Sequence, residues 1–370
     1  MSDTDQVVRR SGLSVSGILR GLTRMQAGQI LVIWLAICLI FSVLAGHLFF
    51  SVDNFRAIAV SAAILAVLGV GTTFIIVTAG IDLSMGSILI FSGVMAALVM
   101  GKFGAGGGSA AAGTPGESVW VALLGVVTAL VSGTAWGALN GFLVAKAKVP
   151  PMIVTLGTYG AALGLTQVVT GGIDRTTVPL SLVNTVGFGR IFGVPILVII
   201  AAVVVVLGVI LLTRTKFGLY TSAVGSNAEA CRRVGINVDR HLIKVYMLAG
   251  FLSGLAGILN LAFFRSTTIS GQSLTNLNVI AGVVIGGTSL FGGVGTVFGT
   301  VIGLLIPVTL SNGFVIISVP PFWQQVVVGA FLIVAVYLDQ ARHASAGRLG
   351  ARKKKPTSSP RGDRKCTRKH

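Results

Sequence analysis

One carboxylate stands apart among the residues that could do chemistry. It is Asp82, in the run Ala79-Gly80-Ile81-Asp82-Leu83-Ser84-Met85-Gly86. Nearly all the other acidic residues lie in polar tails or loops. An ionisable group at membrane depth requires a reason, because hydrocarbon does not solvate charge. Two reasons fit. Asp82 follows Gly80 and precedes an apolar run, so its carboxylate can N-cap a helix starting at Leu83 and face that helix's positive end. It can also contact a solute or ion directly, since interrupted helices build transporter sites. The readings are compatible: a capped half-helix can border a pathway.

Uncharged polar residues are scattered through other apolar stretches: Asn140, Thr155, Thr158, Tyr159, Gln167, Asn260, Thr288, Ser289, Gln324 and Gln325. Taken singly, each is explained by a hydrogen bond between helices. Together they suit a path for a neutral, hydroxyl-rich solute. An anion path would call for Lys or Arg inside the apolar stretches, and a proton relay for several carboxylates or histidines. The sequence offers neither. Catalysis finds no support. His47, His241, His343 and His370 make no ligand spacing with Cys38, Cys231 or Cys366, so neither a metal nor a cofactor is expected. The Gly-rich stretch from Gly286 to Gly295 lacks the Lys of a phosphate-cradling P-loop. If the chain pumps, its energy comes from another protein.

The elements that must hold these residues are membrane spans. The chain has 370 residues, 54% hydrophobic and 10% charged, with a mean hydropathy of +0.92. Soluble domains carry about 25% charged residues. Apolar runs lie at 28–50 and near 57–78, 87–100, 118–141, 153–170, 193–213, 245–264, 278–291, 295–311 and 322–338. This predicts an all-α polytopic bundle of about ten transmembrane or half-membrane helices. The runs at 87–100 and 278–291 are short, and each adjoins a Gly-rich break. The second break is Ser289-Leu290-Phe291-Gly292-Gly293-Val294-Gly295-Thr296. Broken segments in both halves of a chain point to a translocation path. Glycines at intervals of four (Gly133, Gly137 and Gly141; Gly250 and Gly254; Gly282 and Gly286; Gly299 and Gly303) predict close helix packing.

Charge sets the sidedness. With the N-terminus inside, the outer loops hold Arg56, Lys102, Arg175, Arg190 and Arg265, only five of the 28 basic residues. The positive-inside rule therefore places both termini in the cytoplasm. Residues 1–27 form a cytoplasmic N-terminal segment, 28–340 the transmembrane domain, and 341–370 a basic disordered cytoplasmic tail. From Arg342 onward that tail carries eleven Lys and Arg and no aromatic residue. It suits contact with anionic lipid and not with nucleic acid.

The most informative segment is the inner loop 214–244. It contains Arg214-Thr215-Lys216-Phe217-Gly218, then Ala223-Val224-Gly225-Ser226-Asn227-Ala228-Glu229-Ala230-Cys231-Arg232-Arg233-Val234-Gly235-Ile236-Asn237. Ser226 or Asn227 can N-cap a short helix, with Glu229 in its first turn, Arg232 and Arg233 in its last, and Gly235 at C′. Such a helix is either an ordinary interfacial element or a docking knob.

This loop resembles the signature of the monosaccharide-type (ribose/xylose/galactose-like) ABC transporter permeases. Three other elements are similar to hallmarks of that family: Gly80-Ile81-Asp82-Leu83-Ser84-x-Gly86; Asn140-Gly141 with Val149-Pro150-Pro151-Met152-Ile153-Val154-Thr155-Leu156-Gly157-Thr158; and Gly286-Gly287-Thr288-Ser289-Leu290-x-Gly292-Gly293-x-Gly295. The matches run in order over roughly residues 30–340. Asn227-Ala228-Glu229-Ala230-Cys231 departs from the family's usual paired acidic residues and paired alanines.

The resemblance implies the permease subunit of an importer in the bacterial cytoplasmic membrane, carrying a monosaccharide or similar neutral solute. It implies a permease homodimer, ABC ATPase subunits below, and a periplasmic or lipid-anchored sugar-binding protein above. Gly225, Asn227, Glu229, Ala230, Arg232, Arg233 and Gly235 would then form the coupling element. Asp82, Asn140, Thr155, Thr158, Tyr159, Gln167, Thr288 and Ser289 are the candidates for the substrate pathway. Two other readings stay open: a branched-chain amino acid ABC permease, and a stand-alone secondary transporter or channel that needs no partner.

Overall fold

The computed structural model describes residues 26–104, 115–270 and 275–320, and most of 322–337. The N-terminal arginines and the basic tail lie outside the described residues. The described chain is helical apart from one two-residue hairpin, β1 (Arg190–Ile191) with β2 (Val194–Pro195). Its principal helices are α1 (Gln26–Ala45), α2 (Val52–Val77), α3 (Met85–Phe103), α4 (Pro115–Ala145), α5 (Pro151–Thr170), α6 (Ile196–Arg214), α7 (Lys216–Arg233), α8 (Val238–Phe264), α9 (Thr275–Ile285) and α10 (Val297–Ile316). Among the described residues, eight helices are long and apolar enough to cross a membrane. The chain is thus a polytopic helical membrane protein. The eleven residues of α9 span about 16 Å, roughly half of a ~30 Å hydrocarbon layer.

Burial sorts the helices into an inner and an outer set. Helix α2 is the hub, with 83% of its apolar window buried, against 17% for α1 and 22% for α6. Around α2 pack α8, α10, α6 and α9. The contacts follow the glycine spacing. A Cβ at Gly133 would stand 2.8 Å from the backbone nitrogen of Gly254, and one at Gly137 would stand 3.0 Å from Cα of Gly250. The backbones of α4 and α8 therefore touch, as small residues at intervals of four allow. A Cβ at Gly303 would lie 2.7 Å from the Gly286 nitrogen, so α9 and α10 pack in the same way. Helix α1 clips to α10 through Trp34 Nε1, which donates to Thr309 Oγ1 at 2.9 Å, and through Phe41 against Phe314.

Helix α3 starts deep in the bundle. Gly93 packs on the backbone of Gly257 in α8. Met85 lies eight residues before Gly93, about 12 Å at 1.5 Å per residue, which sets the start of α3 level with the middle of α8. The segment Ile81–Leu83 climbs to that depth without helical bonding. Helix α9 begins at the same level, because Asn276 in its first turn bonds to the start of α3. Both expected interruptions break the helical backbone, and the membrane-length α3 and the half-length α9 meet with their N-terminal ends together.

Candidate translocation and coupling site

At this meeting point Asp82 is buried, with 4% of its surface exposed. Its role differs from the expected cap. Helix α3 starts at Met85 and not Leu83, and its N-cap residue is Ser84. Asp82 Oδ1 accepts from Ser84 N at 2.7 Å and from Ser84 Oγ at 2.6 Å. The carboxylate thus closes a turn two residues long and holds the capping residue, while the rising segment leaves it too far back to cap the helix itself. The cap comes from another helix. Asn276 Oδ1 accepts from Gly86 N at 2.7 Å, and Asn276 Nδ2 donates to Leu83 O at 2.5 Å. This satisfies an orphan donor of the first turn, the role a local side chain fills in most helices.

Asn140 Nδ2 donates to Ser84 Oγ at 2.9 Å, and Thr155 Oγ1 lies 3.2 Å from Ile81 O. Asp82, Asn140 and Thr155, predicted from three separate segments, therefore converge on residues 81–84. Two buried oxygens beside them have no partner: Asn140 Oδ1 and Tyr246 Oη. Tyr246 Oη stands 3.1 Å from where a Cβ of Gly80 would be. Buried polar atoms without partners are uncommon and mark places where water or ligand is received.

The other predicted pathway residues lie elsewhere. Thr288 and Ser289 are buried in the second interruption. Gly287, at φ +89°, ends α9 there: its N–H bonds Val284 O, and Thr288 N–H bonds Val283 O. Thr158 is buried and bonds within α5. Tyr159 is half-buried, and Gln167 is exposed on the outward side of α5. On the same helix, a Cβ at Gly157, Gly160 or Gly164 would meet nothing within 4 Å.

Loop 214–244 forms the expected short helix. The backbone of α7 breaks at Asn227, where φ is −162° and ψ is 93°, so α7 is two helices meeting at that residue. Asn227 Oδ1 accepts from Ala230 N at 2.9 Å, which makes Asn227 the N-cap of the second half. At the far end Gly235, at φ +85°, donates to Arg232 O at 3.1 Å, and Ile236 N donates to Cys231 O at 3.0 Å. That pair of bonds is a Schellman ending. Glu229 faces Arg232 and Arg233 at 3.7 Å each. The knob is exposed, and Val234 at its tip is 76% exposed. Arg232 also reaches Asp239 at 3.3 Å, and Asp239 binds Lys148 at 2.9 Å. The base of the knob is therefore tied to the turn before α5.

Asn276, Tyr246 and Asp239 were not among the sequence candidates. The doublet Asn276 and Asn278 ahead of an apolar run was the available signal for the first; the other two have no local signature.

The arrangement of Asp82 yields a prediction. Asp82→Asn keeps an acceptor for Ser84 and is expected to leave folding and uptake close to the parent. Asp82→Leu strands a buried N–H and a hydroxyl, at about 1–3 kcal/mol for an unsatisfied group. It is expected to lower the melting temperature in detergent and reduce uptake. An Asn variant that folds normally and transports nothing would show that the charge itself contacts solute or ion.

Residues 54–336 match the family described as branched-chain amino acid transport system / permease component. The chain is 37% identical to the ribose import permease of Escherichia coli K12 over 298 residues, covering 80% of this chain and 88% of that protein. It is 34% identical to the fructose import permease of Rhizobium meliloti over 307 residues, 81% of each chain. It is 35% identical to the D-allose transport system permease of Escherichia coli K12 over 302 residues, covering 81% and 87%. No solved structure matches. The chain belongs to this family of membrane permease components, as a monosaccharide-type ABC importer permease.

Proposed function

We propose that this chain passes a monosaccharide such as a pentose or ketohexose inward across a bacterial cytoplasmic membrane, and that a separate ABC ATPase seated on Asn227–Arg233 drives it. The observation that carries the reading is the exposed, doubly capped knob on α7, which presents Glu229, Arg232 and Arg233 at the surface, paired with one another and with Asp239. Isolated short helices are marginal in water, so such a helix is best used against a partner surface. The sugar class comes from the relatives named as ribose, fructose and allose permeases, and it displaces the amino-acid reading. A binding protein delivering solute to the outer loops completes the proposal.

The outward face of α5 supports a second copy of the chain. Gln167 there is exposed, and a polar amide is unfavourable in lipid. The open glycines at 157, 160 and 164 let another backbone approach. A path between two such faces would bring Tyr159 and Gln167 to the solute, while Asp82, Asn140 and Thr155 hold the start of α3.

Deleting the gene is expected to abolish ATP-dependent uptake of one labelled monosaccharide in the native cell and leave leucine uptake unchanged. The reverse pattern would overturn the sugar reading. For sidedness, membrane-impermeant thiol reagent is expected to label Phe192→Cys in intact cells, at the tip of the outer hairpin, and to leave Asn227→Cys unlabelled. External labelling at 227 would invert the topology.

A further inference from the structure

The knob on α7 is joined directly to both helix interruptions. Gly225 lies two residues before the kink at Asn227. A methyl group there would collide with the Val77 carbonyl and come within 2.7 Å of Gly293 N. Gly293 N itself donates to Val77 O at 2.8 Å. A Cβ at Gly292 would stand 2.7 Å from Cβ of Ala79 and 2.9 Å from Gly225 O, and one at Gly293 would stand 3.4 Å from Cβ of Ser226. Ala79, Gly292 and Gly293 all have positive φ, at +62°, +81° and +79°. Three segments far apart in sequence therefore meet backbone to backbone, with no long side chain between them. A side chain can change rotamer and absorb a displacement, but packed backbone cannot.

The connections from this point close a ring. From Val77 the chain climbs through Asp82 to the start of α3. From Gly293 it runs back through Thr288 to the end of α9. The starts of α3 and α9 are bonded to each other by Asn276. Movement of the knob thus reaches α3 through its leading segment and α9 through its end.

We propose that Gly225, Gly292 and Gly293, with Val77 and Ala79, form a rigid transmission joint that carries displacement of the α7 knob into the paired helices α3 and α9. The proposal rests on the coupling reading of Asn227–Arg233. These are positioning residues; none needs to touch solute. Glycine is required at 225 because any side chain separates the segments.

Two measurements on the permease–ATPase complex test it. Gly225→Ala is expected to lower uptake by about tenfold or more, a loss within the range of allosteric coupling, while ATP hydrolysis and the amount of ATPase that co-purifies stay at parent level. Full uptake by this variant would overturn the joint. The second measurement uses the pair Ser226→Cys and Gly293→Cys, whose Cβ separation of 3.4 Å is close to disulfide geometry. Its rate of oxidative cross-linking is expected to be the same in nucleotide-free and ATP-trapped complexes, since the joint moves as one body. A rate that falls in either state would show that the knob slides past the interruptions, and the joint would be wrong even if Gly225→Ala fails to fold. Failure of the underlying coupling reading has a different signature: ATPase would co-purify undiminished with Glu229→Arg.

Discussion

Gly235→Val is expected to leave the permease folded and inserted but to reduce uptake by about tenfold or more, with weaker co-purification of the ATPase. Gly235 sits at φ +85°, and an L-residue with a Cβ in that region loses about 1–2 kcal/mol. A β-branched side chain fits worst. The strain falls on the two bonds that end the knob, Gly235 N to Arg232 O and Ile236 N to Cys231 O. Nothing lies within 4 Å of a Cβ at Gly235, so the effect is one of backbone geometry and not of packing. Gly235→Asn, which tolerates the left-handed conformation, is expected to keep most of the uptake. Glu229→Arg is expected to act on seating too. It puts positive charge in the first turn, at the positive end of the helix dipole, beside Arg232 and Arg233. Its exposed ion pairs add little to folding, so melting should barely change while ATPase binding falls. Full uptake and full ATPase association in both Gly235→Val and Glu229→Arg would remove the knob from the coupling mechanism.

Gly137→Leu is expected to have the largest structural effect. A Cβ at 137 already presses on the backbone of Tyr246 and Gly250 in α8, and a Leu side chain has nowhere to go. Overpacking a core costs about 1–3 kcal/mol even where side chains can yield, and here the neighbour is backbone. The expected readout is near-complete loss of monodisperse protein in detergent. Gly157→Leu is the contrast. A Cβ there meets nothing within 4 Å, so the variant is expected to purify at parent yield, yet to lose dimer and uptake if a second copy covers this face. Equal yields for the two variants would contradict the backbone contact between α4 and α8.

Much of this architecture is legible in the sequence, because membrane helices are written in long apolar runs and their contacts in glycine spacing. Gly133, Gly137, Gly250 and Gly254 announced close helix packing without naming the partners, and the two Gly-rich breaks announced the interruptions. Asn227 and Gly235 were readable as caps, since capping depends on neighbours three or four residues away. What sequence reasoning could not reach was non-local. The cap on α3 comes from Asn276, some 190 residues from Gly86. Asp82 consequently braces Ser84, where local rules alone would have made it the cap. The meeting of Gly225 with Val77 and Gly293 is likewise invisible in spacing, because Gly225 reads locally as one more helical residue and Gly293 as a turn residue.

The central claim is that this chain moves sugar only when an ATPase pushes on it. The most direct measurement is uptake of labelled monosaccharide by proteoliposomes holding the permease and its binding protein, with and without the ATPase subunit and ATP. Uptake only when ATPase and ATP are both present is the predicted result. Uptake by the permease without the ATPase, driven by an ion gradient or by the sugar gradient alone, would contradict it.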